Sequence, residues 1–270
     1  MALAPVTLGS LTVSRLILGG NPFSGFSHQN PAKDREMVAY FTTAHIKDTL
    51  RQAEALGITT LIARADRHIM RTLQEYWAEG GAIQWIAQTA PEYASLSANI
   101  TQAVAVGAVA VYLHGGQMDN LFANQKLEIV PDAIKHIHAA GLPAGIAAHD
   151  PRVHLWARDN VPIDFHMCSY YNPSRRDTHA EHRPSEAETF DPADRAAMTA
   201  LIPALDKPAV HYKLFAAGRN DPRAAFTEAA RHLRPGDAVC IGIFPKDRPN
   251  MLAEDLALFE ESLKLPVPGA

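Results

Sequence analysis

Short apolar runs and amphipathic runs alternate along this chain eight times without a break, and that alternation restricts the fold more than any other feature. The apolar runs fall at residues 14–20, 57–65, 82–90, 108–114, 142–149, 161–171, 207–215 and 237–244. Between and after them lie segments with apolar residues at helical spacing: 44–57, 68–81, 95–107, 128–141, 150–160, 191–205, 221–233 and 248–263. The last is the clearest, with Leu252, Leu256, Phe259 and Leu263 on one stripe. Runs that are apolar on both faces suit the strands of a parallel sheet, and strict strand–helix alternation demands one. Eight such units in 270 residues predict an α/β protein, a single (β/α)8 TIM barrel over residues 1–270. The main rival, a doubly wound sheet, calls for a Gly-rich phosphate turn after the first strand, and GGNPFSG is not GxGxxG. The stretch PVTLGSLTVS ahead of that strand reads as an N-terminal β-hairpin plugging the bottom of the barrel. Nothing in the chain reads as a linker, a repeat or a low-complexity tract.

Composition narrows the function classes. The net charge is −4, so there is no electrostatic footprint for nucleic acid. No run of about 18 apolar residues predicts a membrane span, and MALAPVTLGS has neither the basic nor the long apolar region of a signal peptide. The two cysteines, Cys168 and Cys240, sit in apolar runs as small core residues. A reducing compartment fits them, so a cytoplasmic protein with a small-molecule partner is expected. Nothing in the sequence speaks to oligomeric state.

Barrel chemistry comes from the C-terminal ends of the strands, and those ends are polar here. Asn21 ends the first strand. Arg64, Asp66 and His68 end the second, and Gln88 the third. The fourth gives His114, in the stretch YLHGGQMD, where the two glycines read as a hinge that turns the chain away. The fifth gives His149 and Asp150. The sixth carries His166 and then Tyr170, Tyr171 and Asn172. The seventh carries His211 and Lys213, and the eighth leads to Lys246 and Asp247. The long loops 21–44 and 172–191 lie on the same face. Of thirteen histidines, His136, His138 and His232 read as solvated helix residues, and Asp150 before Pro151 reads as an N-cap. Lys213 is the sharpest signal, a lone cation within VHYKLFAAG. If it shares an inward register with His211, its ammonium must be paired or its pKa depressed.

These stretches resemble a family. LGSLTVSRLILGG, AVYLHGG, HYKLFAAG and FPKDRPNMLAEDLALFEESL are similar to the opening, the fourth strand, the seventh-strand segment and the last helix of the aldo-keto reductase superfamily, of which the chain resembles a shortened, divergent member. The resemblance implies the barrel fold and places the family's active-site histidine at His114. The rest of the reductase tetrad is replaced. Ile62 stands for the aspartate, Arg67 or His68 falls near the tyrosine, and Gln88 or Thr89 stands for the lysine. Of the cofactor contacts, Ala147 and Ala148 replace a Ser-Asn pair, His211 replaces the aromatic that stacks on nicotinamide, and Asp247 replaces a serine facing the 2′-phosphate. A reductase needs its tuned proton donor, so the resemblance implies the fold without the activity, and NAD(P) is not expected.

The groups that remain suit reactions at a carbon next to a carbonyl: elimination, epimerisation or isomerisation. His114, His149, Lys213 and Asp66 are the candidate catalytic residues, with the histidines as acid and base and Lys213 as electrophile. Asn21, Arg64, Gln88, Tyr171, Asn172 and His211 are candidates for binding a small polar, carbohydrate-like substrate; Arg175 and Arg176, with Arg64, are also able to meet a carboxylate or phosphate. His114, His149 and His166 are the candidate ligands for a divalent metal such as Zn, Mn or Fe. The expected activity is that of a lyase or isomerase. The alternatives are an NAD(P)-dependent oxidoreductase with a rearranged site and a ligand-binding barrel without chemistry.

Overall fold

A computed structural model describes residues 3–183 and 186–265. Eight parallel strands close into a barrel: β3 (Leu16–Gly19), β4 (Thr60–Arg64), β5 (Gln84–Gln88), β6 (Ala110–Leu113), β7 (Ala144–Ala148), β8 (Phe165–Ser169), β9 (Ala209–Tyr212) and β10 (Ala238–Gly242), with β10 pairing back onto β3. Ahead of them β1 (Val6–Leu8) and β2 (Leu11–Val13) form the expected antiparallel hairpin. Its Val6, Leu8 and Val13 pack into the barrel's own core, beside Ile17, Ile86, Phe165 and Val210.

The barrel follows from residues that alternate between two apolar environments. Ile62, Ile86, Tyr112 and Met167 face inward. Leu61, Trp85, Val111 and Cys168, each one position away, face the helical layer. That layer contains the eight expected helices: α2 (Thr43–Ala55), α3 (Arg67–Ala78), α4 (Leu96–Val106), α6 (Val130–Ala139), α7 (Pro151–Asn160), α8 (Pro192–Leu201), α9 (Pro222–Ala230) and α10 (Met251–Ser262). None of the described helices is long and apolar enough to cross a membrane.

Two helices were not expected, and both lie at the C-terminal mouth. The loop after β3 contains α1 (Pro31–Tyr40), capped by Asn30, whose side chain accepts from the Lys33 N–H at 2.9 Å, with proline at its first position. Only Met37 of its ten residues is buried, so it has no apolar stripe to read. The second is α5 (Gly115–Ala123). The glycines of YLHGGQMD are therefore not a hinge but the first turn of a helix. They are required by close approach. A Cβ on Gly116 would lie 2.4 Å from the Ala180 carbonyl oxygen, and one on Gly115 3.1 Å from His149 Cε1.

Candidate active site at the barrel mouth

A cleft of about 450 Å³ opens at the C-terminal end of the barrel. Its floor is formed by the last inward side chains of the strands: Ile62, Tyr112, Met167, Tyr212 and Cys240, with Gln88 at the edge. Tyr112 accepts a hydrogen bond from the Gln88 amide at 2.8 Å. Burial, followed by the neighbouring phenol, pushes Tyr112 well above the usual tyrosine range. Burial, with Asp119 nearby, does the same to Tyr212. Both phenols thus stay protonated and serve as neutral donors. Asn21, Ser27 and His28 approach from the loop after β3, and Lys213 from the end of β9.

Lys213 reaches this cleft by a route the sequence does not reveal. His211 faces outward, fully buried, where its Nε2 lies 3.3 Å from Asp237 and its Nδ1 2.9 Å from the Tyr170 hydroxyl. The expectation that His211 and Lys213 share an inward register is overturned, because strict alternation would carry Lys213 outward as well. The strand stops at Tyr212, however, and Lys213 takes φ +61°, a left-handed conformation that redirects its side chain. Its ammonium donates to His28 Nε2 at 3.1 Å. Burial lowers Lys213 to about 8 against the opposing pull of Glu188. Burial, then the Lys213 charge, lowers His28 to about 3. His211 therefore does not reach the cleft, and its neighbour Tyr212 lines it instead.

His114 and His149 stand behind the cleft rather than in its lining. His114 is the N-cap of α5, its Nδ1 accepting from the Gln117 N–H at 3.3 Å, and its own N–H donates to Thr89 Oγ1 at 2.9 Å. Burial, then Arg64, holds its pKa well below the usual histidine range. His149 is buried and its Nδ1–H donates to Asp119 Oδ2 at 2.6 Å. Asp119 also accepts from the backbone N–H groups of His149 and Asp150 at 3.1 and 3.2 Å. The His149 ring meets Tyr212 edge-on, with centroids 6.3 Å apart. A buried Asp119–His149 pair thus backs the phenol that faces the cleft. Sequence reasoning missed Asp119, although it is the last residue of YLHGGQMD, one turn of α5 beyond Gly115.

The other predicted residues scatter. Asn21 and Gln88 line the cleft. Asp66 caps α3, accepting from the Ile69 N–H at 2.9 Å, and its other oxygen takes Ser24 at 3.3 Å. Arg64 is buried against Glu92, with its guanidinium 4.7 Å from the Phe26 ring. Tyr171 is buried, its hydroxyl accepting from Asn220 at 2.8 Å, and Asn172 is exposed outside the cleft. Arg175 is exposed and pairs with Asp177, whereas Arg176 is buried and donates to the Glu181 carbonyl at 2.7 Å. His166 is fully buried between β8 and α7, Nδ1 to Nδ1 with His154 at 3.0 Å. It does not meet His114 and His149, so the predicted ligand set is not assembled.

A different set is. His28 from the loop after β3, with His182 and Glu188 from the loop after β8, place one nitrogen or oxygen each within 4.8 Å of one another. None of the three was singled out in the sequence. The only available signal was that both long loops lie on one face and both carry histidine.

The fold and this cleft define a closed (β/α)8 barrel with a largely apolar pocket, carrying a few polar groups, at its C-terminal mouth. No protein-family model matches the chain, and no curated protein matches it in sequence. Among solved structures it is similar to a protein described as an aldo-keto reductase from Pseudomonas aeruginosa, with 19% identity, a TM-score of 0.65 and coverage of 96% of this chain and 95% of that one. The apo form of Gox0644 aligns at 11% identity and a TM-score of 0.57, covering 100% and 97%. A truncated 3-deoxy-D-arabino-heptulosonate 7-phosphate synthase from Thermotoga maritima aligns at 12% and 0.54, covering 97% and 90%. At these identities the likeness establishes the barrel, and function must be argued from the site.

Proposed function

We propose that this barrel is an enzyme acting at the carbon next to a carbonyl of a small polar, carbohydrate-like substrate, as a lyase or an isomerase/epimerase. The observation that carries the reading is the position of Lys213. Its ammonium projects into a cleft floored by two protonated phenols and meets one neutral imidazole. Among the described residues no carboxylate lies within ion-pair distance of it. Loss of a proton from such a carbon to His28 Nε2, freed as the Lys213 ammonium turns toward the substrate, leaves negative charge on the carbonyl oxygen. Lys213 and the Tyr112 and Tyr212 hydroxyls are the donors able to stabilise that charge as it develops. The Asn21 and Gln88 amides are suited to substrate hydroxyl groups. The cleft volume falls within the range of about 300–1,000 Å³ common for small-molecule sites.

One observation favours a second reading, an NAD(P)-dependent oxidoreductase. The cleft continues outward past Phe244, Asp247, Arg248 and Met251, which gives an elongated ligand room beside Tyr212. Against it, Asp247 presents a carboxylate where a 2′-phosphate is expected and is already paired with Lys33 at 2.8 Å.

The test is proton nuclear magnetic resonance of a panel of hydroxy-aldehydes, hydroxy-ketones and sugar acids incubated with the protein in D2O. Enzyme-dependent exchange of the hydrogen next to the carbonyl, or its elimination, is expected for at least one class. A parallel NADPH titration is expected to give a Kd weaker than the low micromolar range, about −8 kcal/mol. Tight NADPH binding without exchange would replace the first reading with the second.

A further inference from the structure

The two long loops at the mouth are joined at one place by three metal-ligating side chains. His28 Nδ1 lies 2.8 Å from Glu188 Oε2, and His182 Nδ1 lies 3.3 Å from Glu188 Oε1. We propose that His28, His182 and Glu188 bind one divalent transition-metal ion, with Zn²⁺ the best suited, and that the ion clamps the loop after β3 to the loop after β8.

Four observations support this. The donor set, two imidazoles and a carboxylate, is one that Zn²⁺ accepts with a fourth position left open. The three ligand atoms all lie within 4.8 Å of one another, close enough that small side-chain shifts bring them to the separation of about 3.3 Å that tetrahedral ligands with bonds of about 2.0 Å require. The ligands are sheltered, with side-chain exposures of 14% for His28, 11% for His182 and 5% for Glu188. Finally, His182 Nδ1 is buried and, although 3.3 Å from Glu188 Oε1, makes no well-formed hydrogen bond among the described residues. A buried imidazole nitrogen left unpaired beside an acceptor carboxylate is costly unless something fills the gap. Beside the cluster a cavity of about 190 Å³, lined also by Asp34 and Arg219, leaves space for a water in the open position.

The same geometry sets the ion's role. His28 turns Nδ1 toward Glu188 and Nε2 toward Lys213, so the ion lies on the far side of the imidazole from the cleft. It would hold the rim, and with it His28 and the Lys213 contact, rather than touch substrate. His28 keeps φ +57°, a conformation that non-glycine residues hold only when their surroundings impose it. The three side chains come from segments 160 residues apart in sequence, so an ion here closes a long loop.

The experiment is calorimetric titration of chelator-treated full-length protein with zinc chloride, without substrate. One site per chain is expected. His182→Ala and Glu188→Gln should each weaken binding at least about tenfold, while a His136→Ala/His138→Ala variant, which removes the only HxH pair, should bind as the original does. Zinc should also slow proteolytic cleavage within residues 173–191 of the original chain but not of the Glu188→Gln variant. Absence of a stoichiometric site, binding kept in both cluster variants, or binding lost with His136 and His138 would each overturn the proposal. Because no turnover is read, this result is independent of the proposed reaction.

Discussion

Lys213 joins two unfavourable features in one residue: a half-buried amine and a left-handed backbone. An L-residue in that conformation costs about 1–2 kcal/mol relative to the right-handed one, and glycine does not bear that cost. Selection for stability alone would therefore favour glycine at 213. We expect Lys213→Gly to unfold in urea at the same or a higher midpoint, with stability up to ~1 kcal/mol greater, and to lose turnover. A variant destabilised by more than ~1 kcal/mol would make Lys213 a packing residue. As a lone cation in an apolar run, Lys213 was visible in the sequence. How it reaches the cleft was not, because alternation fails at the first residue beyond β9, where φ changes sign. His211 was misread for the same reason. Asp119, His28, His182 and Glu188 act across loops or turns, and no local pattern marks a contact between residues 28 and 188.

At the scale of elements, β8 and α7 meet through two histidines, of which the sequence suggested only His166, and that as a metal ligand. His154 and His166 face each other at 3.0 Å, with both Nε2 atoms buried and unpartnered among the described residues. Burial first, and for His166 then His154, lowers their pKa values to about 4 and about 2. Folded values below the unfolded one mean that the unfolded chain takes up protons first. The stability is therefore complete above about pH 6.5 and is lost as pH falls below it. Between pH 7.5 and 5 the loss should be roughly 2 kcal/mol for each histidine that must stay neutral. Urea midpoints at both pH values test this. The His154→Leu/His166→Leu double variant should show a shallower fall than the original chain, and an unchanged fall would contradict the account. The strands were legible because each is apolar on both faces, and most helices because each has a buried stripe. α1 and α5 were not: α1 buries Met37 alone, and α5 begins on two glycines, whose helix propensity is poor.

Across the whole molecule, the two ends of the barrel are built differently along its axis. The β1–β2 hairpin and the inner core seal one end, while the strand ends, α1, α5 and both long loops assemble the other. In the proposed reaction the donors at that open end act on charge at the carbonyl oxygen, and Lys213 is the group among them that carries a full positive charge when protonated. The most direct measurement is the rate of deuterium exchange next to the carbonyl of the best panel compound, taken for the original chain and for Lys213→Met with folding checked by thermal midpoint. Removing a charge-stabilising donor costs roughly 10²–10³ in rate, so exchange should fall by that factor with the midpoint nearly unchanged. Equal exchange rates in the two proteins would contradict the central claim.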